Sequence, residues 1–126
     1  MKKYVDGYVL VIPKNKVEEY RKMAEIGAKS WIKNGALEYY ECMGDDVSSH
    51  EMGETKMLAF TQLAKARPDE TVWFSFIVYK SKEDRDRINA KVHEEMEESM
   101  AEYKDLPMPF DMNRMAFGGF SVEVEG

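Results

Sequence analysis

Read along the chain, apolar and polar residues change period several times, and each change marks an element. Tyr4 to Ile12 is rich in aromatic and β-branched residues and stops at Pro13, which predicts a strand. Asn15 with Glu18 three positions later has the form of a capping box. Behind it Val17, Tyr20, Ala24, Gly27, Ala28 and Trp31 recur at helical spacing until Asn34-Gly35, where glycine accepts the left-handed cap conformation. Ala36 to Met43 alternates, with Leu37, Tyr39, Glu41 and Met43 on one side and Glu38, Tyr40 and Cys42 on the other. A polar loop opens at Gly44-Asp45-Asp46 and runs to about Glu54. Thr55 to Ala64 shows short helical spacing through Met57, Phe60 and Ala64, and Pro68-Asp69 breaks the chain. Glu70 to Lys80 is apolar on both faces and predicts a central strand covered on both sides. Ser81 and Asp84 cap a last long helix whose buried stripe is Ile88, Val92, Met96, Met100 and Tyr103. Leu106-Pro107-Met108-Pro109 ends it, and Arg114 to Val124 forms the closing strand.

The order strand, helix, strand, insertion, strand, helix, strand predicts an α+β fold of the ferredoxin-like βαββαβ type, one domain over residues 1–126, with two helices on one face of an antiparallel sheet. Two helices cover one face only, yet the strands carry apolar residues on both. An exposed apolar sheet surface invites association, so a homodimer pairing sheet to sheet as a dimeric α+β barrel is expected. A small-molecule pocket would then lie between sheet and helices or between the sheets.

Composition narrows the partners. A net charge of −6 and a pI near 5.0 do not suit a nucleic-acid surface, which needs clustered Lys and Arg. Much of the acidity falls on the last helix, where nine acidic face four basic side chains between Glu83 and Asp105. No apolar stretch approaches the ~18 residues of a membrane span, and the first apolar run is broken by Asp6 and Gly7, so neither membrane nor secretion is expected. Cys42 is the single cysteine, which fits a reducing, cytoplasmic setting.

Candidate chemistry gathers in the C-terminal block Met108 to Phe120, where Asp111 and Arg114 stand among large apolar residues and Gly118-Gly119 interrupts a strand. A guanidinium at Arg114, oriented by Asp111, would suit bidentate binding of a carboxylate or enolate. The plainer use is a turn held in shape by an Asp cap or an Asp111–Arg114 pair. Asp6 alternates with Tyr4 and Tyr8, and a carboxylate among rings in a partly dry site suits proton abstraction; its plainer use is a structural bond to backbone or to Arg114. Cys42 has no imidazole or helix N-terminus near it in sequence and reads as a small hydrophobe before it reads as a nucleophile. His93-Glu94-Glu95-Met96-Glu97 lacks the second His of a zincin helix, and the Asp45-Asp46-His50-Glu51 loop reads as solvated, so no metal is expected. No phosphate-cradling glycine pattern is present and no cofactor is expected.

Four blocks carry a resemblance: Tyr4-Val5-Asp6-Gly7-Tyr8-Val9; Gly35-Ala36-Leu37 with Glu41-Cys42 and Gly44-Asp45-Asp46-Val47; Phe74 to Tyr79 with Ser81-Lys82; and Met108-Pro109-Phe110-Asp111 with Arg114-Met115 and Gly118-Gly119-Phe120. In this order and spacing they resemble the YbaA-like proteins, a family of small uncharacterised bacterial proteins. The resemblance implies a dimeric α+β barrel and no established catalytic residues. The wider superfamily includes cofactor-free monooxygenases, haem-degrading enzymes and isomerases, among which a fold does not choose. Met43 and Phe76 stand where that pattern has Trp, and Lys80 where it has Pro, so no role needing an indole at those two positions carries over. Two readings follow: a homodimer binding a small, partly apolar molecule near Tyr8, Cys42, Ser75, Asp111 and Arg114, with cofactor-independent oxygenation or isomerisation as its chemistry, or a non-catalytic, stress-related homodimer. An open cavity of at least ~300 Å³ reached by Asp6 or Arg114 would favour the first.

Overall fold

The computed structural model describes residues 2–100 and 108–126. Strand β1 (Tyr4–Pro13) leads through a 3₁₀ turn (Lys14–Lys16) into helix α1 (Val17–Lys33), followed by β2 (Glu38–Met43). The insertion holds a hairpin, β3 (Glu51–Met52) and β4 (Thr55–Lys56), and a single helical turn, α2 (Phe60–Leu63). Strand β5 (Glu70–Tyr79), helix α3 (Lys82–Met100), a 3₁₀ turn (Met112–Arg114) and β6 (Ala116–Ser121) complete the order. β2, β5, β1 and β6 lie side by side in that order, every neighbouring pair antiparallel. This is the ferredoxin-like arrangement.

Side chains from one face of the sheet meet both long helices. Under α1, Leu10, Ile12 and Trp73 pack with Tyr20 and Ala24; under α3, Ile77 and Tyr79 pack with Ile88, Val92 and Ala36. The helix limits have local causes. Gly35 sits at φ +118°, a conformation other residues adopt with strain, and lets the chain turn from α1 into β2. The Asp84 backbone N–H donates to Ser81 Oγ at 3.1 Å, a cap worth about 1 kcal/mol.

Several sequence expectations need correction. The Asn15 cap is not made: the 3₁₀ turn occupies that position, Lys16 starts the helix without a side-chain cap, and Glu18 pairs with Arg21 instead. The helix expected over Thr55–Ala64 shrinks to one turn. Thr55 and Lys56 are committed to the hairpin with Glu51 and Met52, and the Met57 backbone N–H donates to the His50 carbonyl, so the amides a longer helix would use are already bonded. β5 is internal as expected; its face away from the helices is covered only in part, with Val72 buried and Phe74 45% exposed. The closing strand is limited to Ala116–Ser121. The stripe positions Met100 and Tyr103 and the stop at Leu106-Pro107 fall outside the side chains described.

Candidate functional site

The helix-facing residues are arranged in rows across the sheet, and the rows locate the polar atoms. Met43, Trp73 and Leu10 lie level on β2, β5 and β1; the next row is Glu41, Ser75, Tyr8 and Phe117, and the next Tyr39, Ile77, Asp6 and Gly119. A polar seam therefore crosses the sheet between the two apolar clusters. Such a seam is tolerated only if its groups are bonded.

At its β2 end the seam centres on Glu41. Tyr20 of α1 donates its hydroxyl to Oε2 at 2.8 Å, Tyr39 donates to Oε1 at 2.7 Å, and the buried Ser75 hydroxyl also donates to Oε2. Burial, reinforced by the charge of Glu41, pushes the Tyr20 and Tyr39 hydroxyls well above the ordinary phenol range, so both stay protonated as donors. Above Glu41 opens a cleft of about 330 Å³ between α1 and the sheet. Arg21, Ala24, Glu25 and Ala28 of the helix form one wall; Tyr39, Glu41 and Met43 of β2, with Trp73 of β5, form the other.

At its β1 end the seam centres on Asp6, which is 0% exposed. Asn89 of α3 donates to Oδ2 at 3.1 Å, while its own Oδ1 accepts from Trp31 Nε1 at 2.9 Å and from the Tyr79 hydroxyl at 3.0 Å. Arg85 Nη1 stands 3.4 Å from Asp6 Oδ1, an ion pair too poorly aligned for a hydrogen bond, and among the described residues Oδ1 has no donor. The guanidinium also lies 4.8 Å from the Tyr4 ring centre and donates to the Tyr4 hydroxyl at 3.3 Å. Tyr8 sits between the two carboxylates, stacked on Phe117 with ring centres 4.9 Å apart, its hydroxyl pushed up by burial and by the charges of Asp6 and Glu41.

The sequence candidates divide among separate places. Asp6, Tyr8 and Ser75 share the seam. Cys42 is on the opposite face of the sheet, exposed, in a second hollow of about 300 Å³ with Val47, Phe60, Val72 and Phe74. Asp111 accepts from the Asn113 backbone N–H at 2.9 Å and caps a turn. Arg114 does not pair with the Asp111 or Asp6 side chain: it grips Glu70 through two bonds of 2.6 and 2.9 Å and donates to the Lys65 carbonyl at 2.9 Å. Neither Asp6 nor Arg114 lines the 330 Å³ cleft. Among the described residues no group of three or more His, Cys, Asp or Glu is placed to hold a metal, and no helix is long and apolar enough to cross a membrane.

Sequence reasoning passed over Glu41, Tyr20, Tyr39, Arg85 and Asn89. Glu41 had a visible signal: a charge on the inward face of an alternating strand, between Tyr39 and Met43. Arg85 and Asn89 are four apart on α3, beside the stripe position Ile88, which places both toward the sheet.

Gly118-Gly119 has a steric explanation. A Cβ on Gly119 would come 2.7 Å from Tyr4 Cε2 and 2.9 Å from Cζ, so the Tyr4 ring that holds Arg85 lies across the bare backbone. On the other face Phe120 folds toward Gly7 and Gly118.

A family model described as a protein of unknown function, DUF1428, matches residues 3–112. "Uncharacterized protein YbaA" of Escherichia coli strain K12 is 41% identical over 123 residues, spanning 98% of each chain, and the same holds for the protein of that name in Shigella flexneri. Among solved structures, a dimeric ferredoxin-like protein from an uncultured marine organism superposes with a TM-score of 0.52 over the full length of both chains at 9% identity, a likeness of fold.

Proposed function

Since the chain belongs to the DUF1428 family, whose function is unknown, its own geometry must supply the reading, and we propose a homodimer that binds a small, partly apolar molecule in the cleft between α1 and the sheet. The observation that carries it is Glu41: a carboxylate held by three hydroxyls at the foot of a 330 Å³ cleft, in the volume range of small-molecule sites. The walls divide as such sites do, with Ala24, Ala28, Met43 and Trp73 apolar and Glu41, Arg21 and Glu25 polar.

Dimerisation is supported by the uncovered face. Tyr40, Phe74 and Phe120 are 47%, 45% and 61% exposed there, and Phe76 stands between Tyr40 and Phe74 with ring centres 5.1 and 5.7 Å away. A second copy stacked on this face would bury the rings, and the fold neighbour is described as dimeric. The exposed thiol of Cys42 on the same face suits the reducing cytoplasm we assign to the protein.

Native mass spectrometry of freshly purified protein tests both parts. A dimer mass carrying a small adduct, lost in Glu41→Ala, is the expected result. A bare chain, together with a fragment library that perturbs no cleft residue, would sink the binding reading; a monomer at micromolar concentration by light scattering would sink the dimer.

A further inference from the structure

The cleft's hydrogen-bonding inventory narrows what it accepts, and this step rests on the binding reading above. Each hydroxyl carries one proton, and those of Tyr20, Tyr39 and Ser75 are all spent on Glu41. The Trp73 indole N–H is spent on Thr71 Oγ1 at 2.9 Å. Arg21 pairs along its own helix with Glu18. Apart from the Arg21 N–H groups not used on Glu18, the polar atoms left over are acceptors. Glu41 Oε1 takes one hydroxyl and Oε2 takes two, so with two acceptor positions per oxygen one remains open on Oε1. The Tyr39 oxygen keeps acceptor capacity, and Glu25 adds a second carboxylate to the helix wall.

The charge balance points the same way. Glu41 and Glu25 line the cleft against Arg21, which already pairs with Glu18 on its own helix, so the lining is net negative and an anionic ligand would meet two carboxylates. The aromatic side chains Tyr39 and Trp73 in the lining suit a cation better than an anion. We propose that the cleft takes a protonated amine with a compact apolar body, its ammonium on Glu41 and its body against Ala24, Ala28, Met43 and Trp73. The carboxylate accepts charge-assisted bonds from the ammonium N–H groups, and the apolar wall receives the remainder.

The test is a titration of the ¹⁵N-labelled full chain at pH 7 with benzylamine, benzyl alcohol and benzoate, three probes of similar size that differ in charge. Benzylamine should shift the amides of Ala28 and Met43 and the Trp73 indole at least ten-fold more tightly than benzyl alcohol, with no cleft response to benzoate. Glu41→Gln should weaken benzylamine about ten-fold and leave benzyl alcohol unchanged. Equal binding of amine and alcohol, or preference for benzoate, overturns the amine assignment while the cleft reading stands. No cleft shift with any probe at millimolar concentration overturns both. The wild-type series decides the question even if Glu41→Gln fails to fold.

Discussion

The ion pair between Glu70 and Arg114 offers a quantitative test of how the closing strand is anchored. Arg114 binds both Glu70 oxygens, and the Arg67 backbone N–H adds a third bond at 2.7 Å, so the guanidinium holds the Glu70 carboxyl at about 2 against its ordinary 4.5. The folded state therefore binds the Glu70 proton less readily than the unfolded chain does. The resulting stability is present above about pH 4.5 and is lost as pH falls toward 2. At ~1.4 kcal/mol per pH unit, the full effect is about 3 kcal/mol at pH 7, and about 1 kcal/mol survives at pH 2.5. The Glu70 side chain is 6% exposed but Arg114 is 24% exposed, so solvent screening trims the full effect toward about 2 kcal/mol. Urea unfolding of wild type and Glu70→Gln at pH 7, 4 and 2.5 reads the gap directly. It should be about 2–3 kcal/mol at neutral pH and close to about 1 kcal/mol at the acid end. A gap that stays constant over this range, or that is under about 0.5 kcal/mol at pH 7, would show that Arg114 does not anchor the strand through Glu70's charge.

Three further outcomes are expected. Gly119→Ala should cost about 1–3 kcal/mol in thermal unfolding because its Cβ meets the pinned Tyr4 ring, and the cost should fall below about 0.5 kcal/mol in a Tyr4→Val background; an unchanged cost there would refute the clash. Asn89→Leu strands the Trp31 N–H, the Tyr79 hydroxyl and Asp6 Oδ2 together and should cost about 3 kcal/mol or more in chemical denaturation, whereas a loss under about 1 kcal/mol would remove Asn89 as the hub of that network. Ser81→Ala should cost about 1 kcal/mol and raise amide exchange at Asp84, and no change in either would show the cap to be idle.

The strands and the two long helices were legible because each depends on a pattern internal to its own segment. β5 alternates Trp73, Ile77 and Tyr79 against Val72, Phe74 and Phe76, and the structure sends these sets to opposite faces. Order then fixed the sheet, since short connections leave few ways to arrange four strands and two helices. Helix starts and the insertion were less legible because they depend on competition between bonds. Asn15 is a good cap in isolation, yet the chain leaves Pro13 through a 3₁₀ turn that consumes the position. The hairpin at 51–56 takes residues whose spacing suits a helix. The seam was hardest to read. Asp6 meets Asn89 across 83 positions and Tyr20 meets Glu41 across 21, and no local period encodes which polar residue will face which.

The two halves of the seam do different work, and exposure separates them. Asp6 is sealed: no solvent reaches it, α3 covers it through Asn89 and Arg85, and its bonds run to side chains that are themselves held in place. Replacing a sealed ionic cluster by apolar residues often costs nothing, so its presence argues for a specified packing of α3 on the sheet, with no need of a ligand. Glu41 differs in one respect. Its hydroxyl partners come from α1, β2 and β5, as a structural cluster's would, and it keeps an open acceptor as Asp6 does, but a cleft lies beside it where Asp6 is sealed. Three protein donors and an unfilled acceptor beside a space of this size are what the proposed amine reading rests on. That moves the candidate site from the C-terminal block, where Asp111 and Arg114 hold turns and strand ends, to the opposite edge of the sheet at β2.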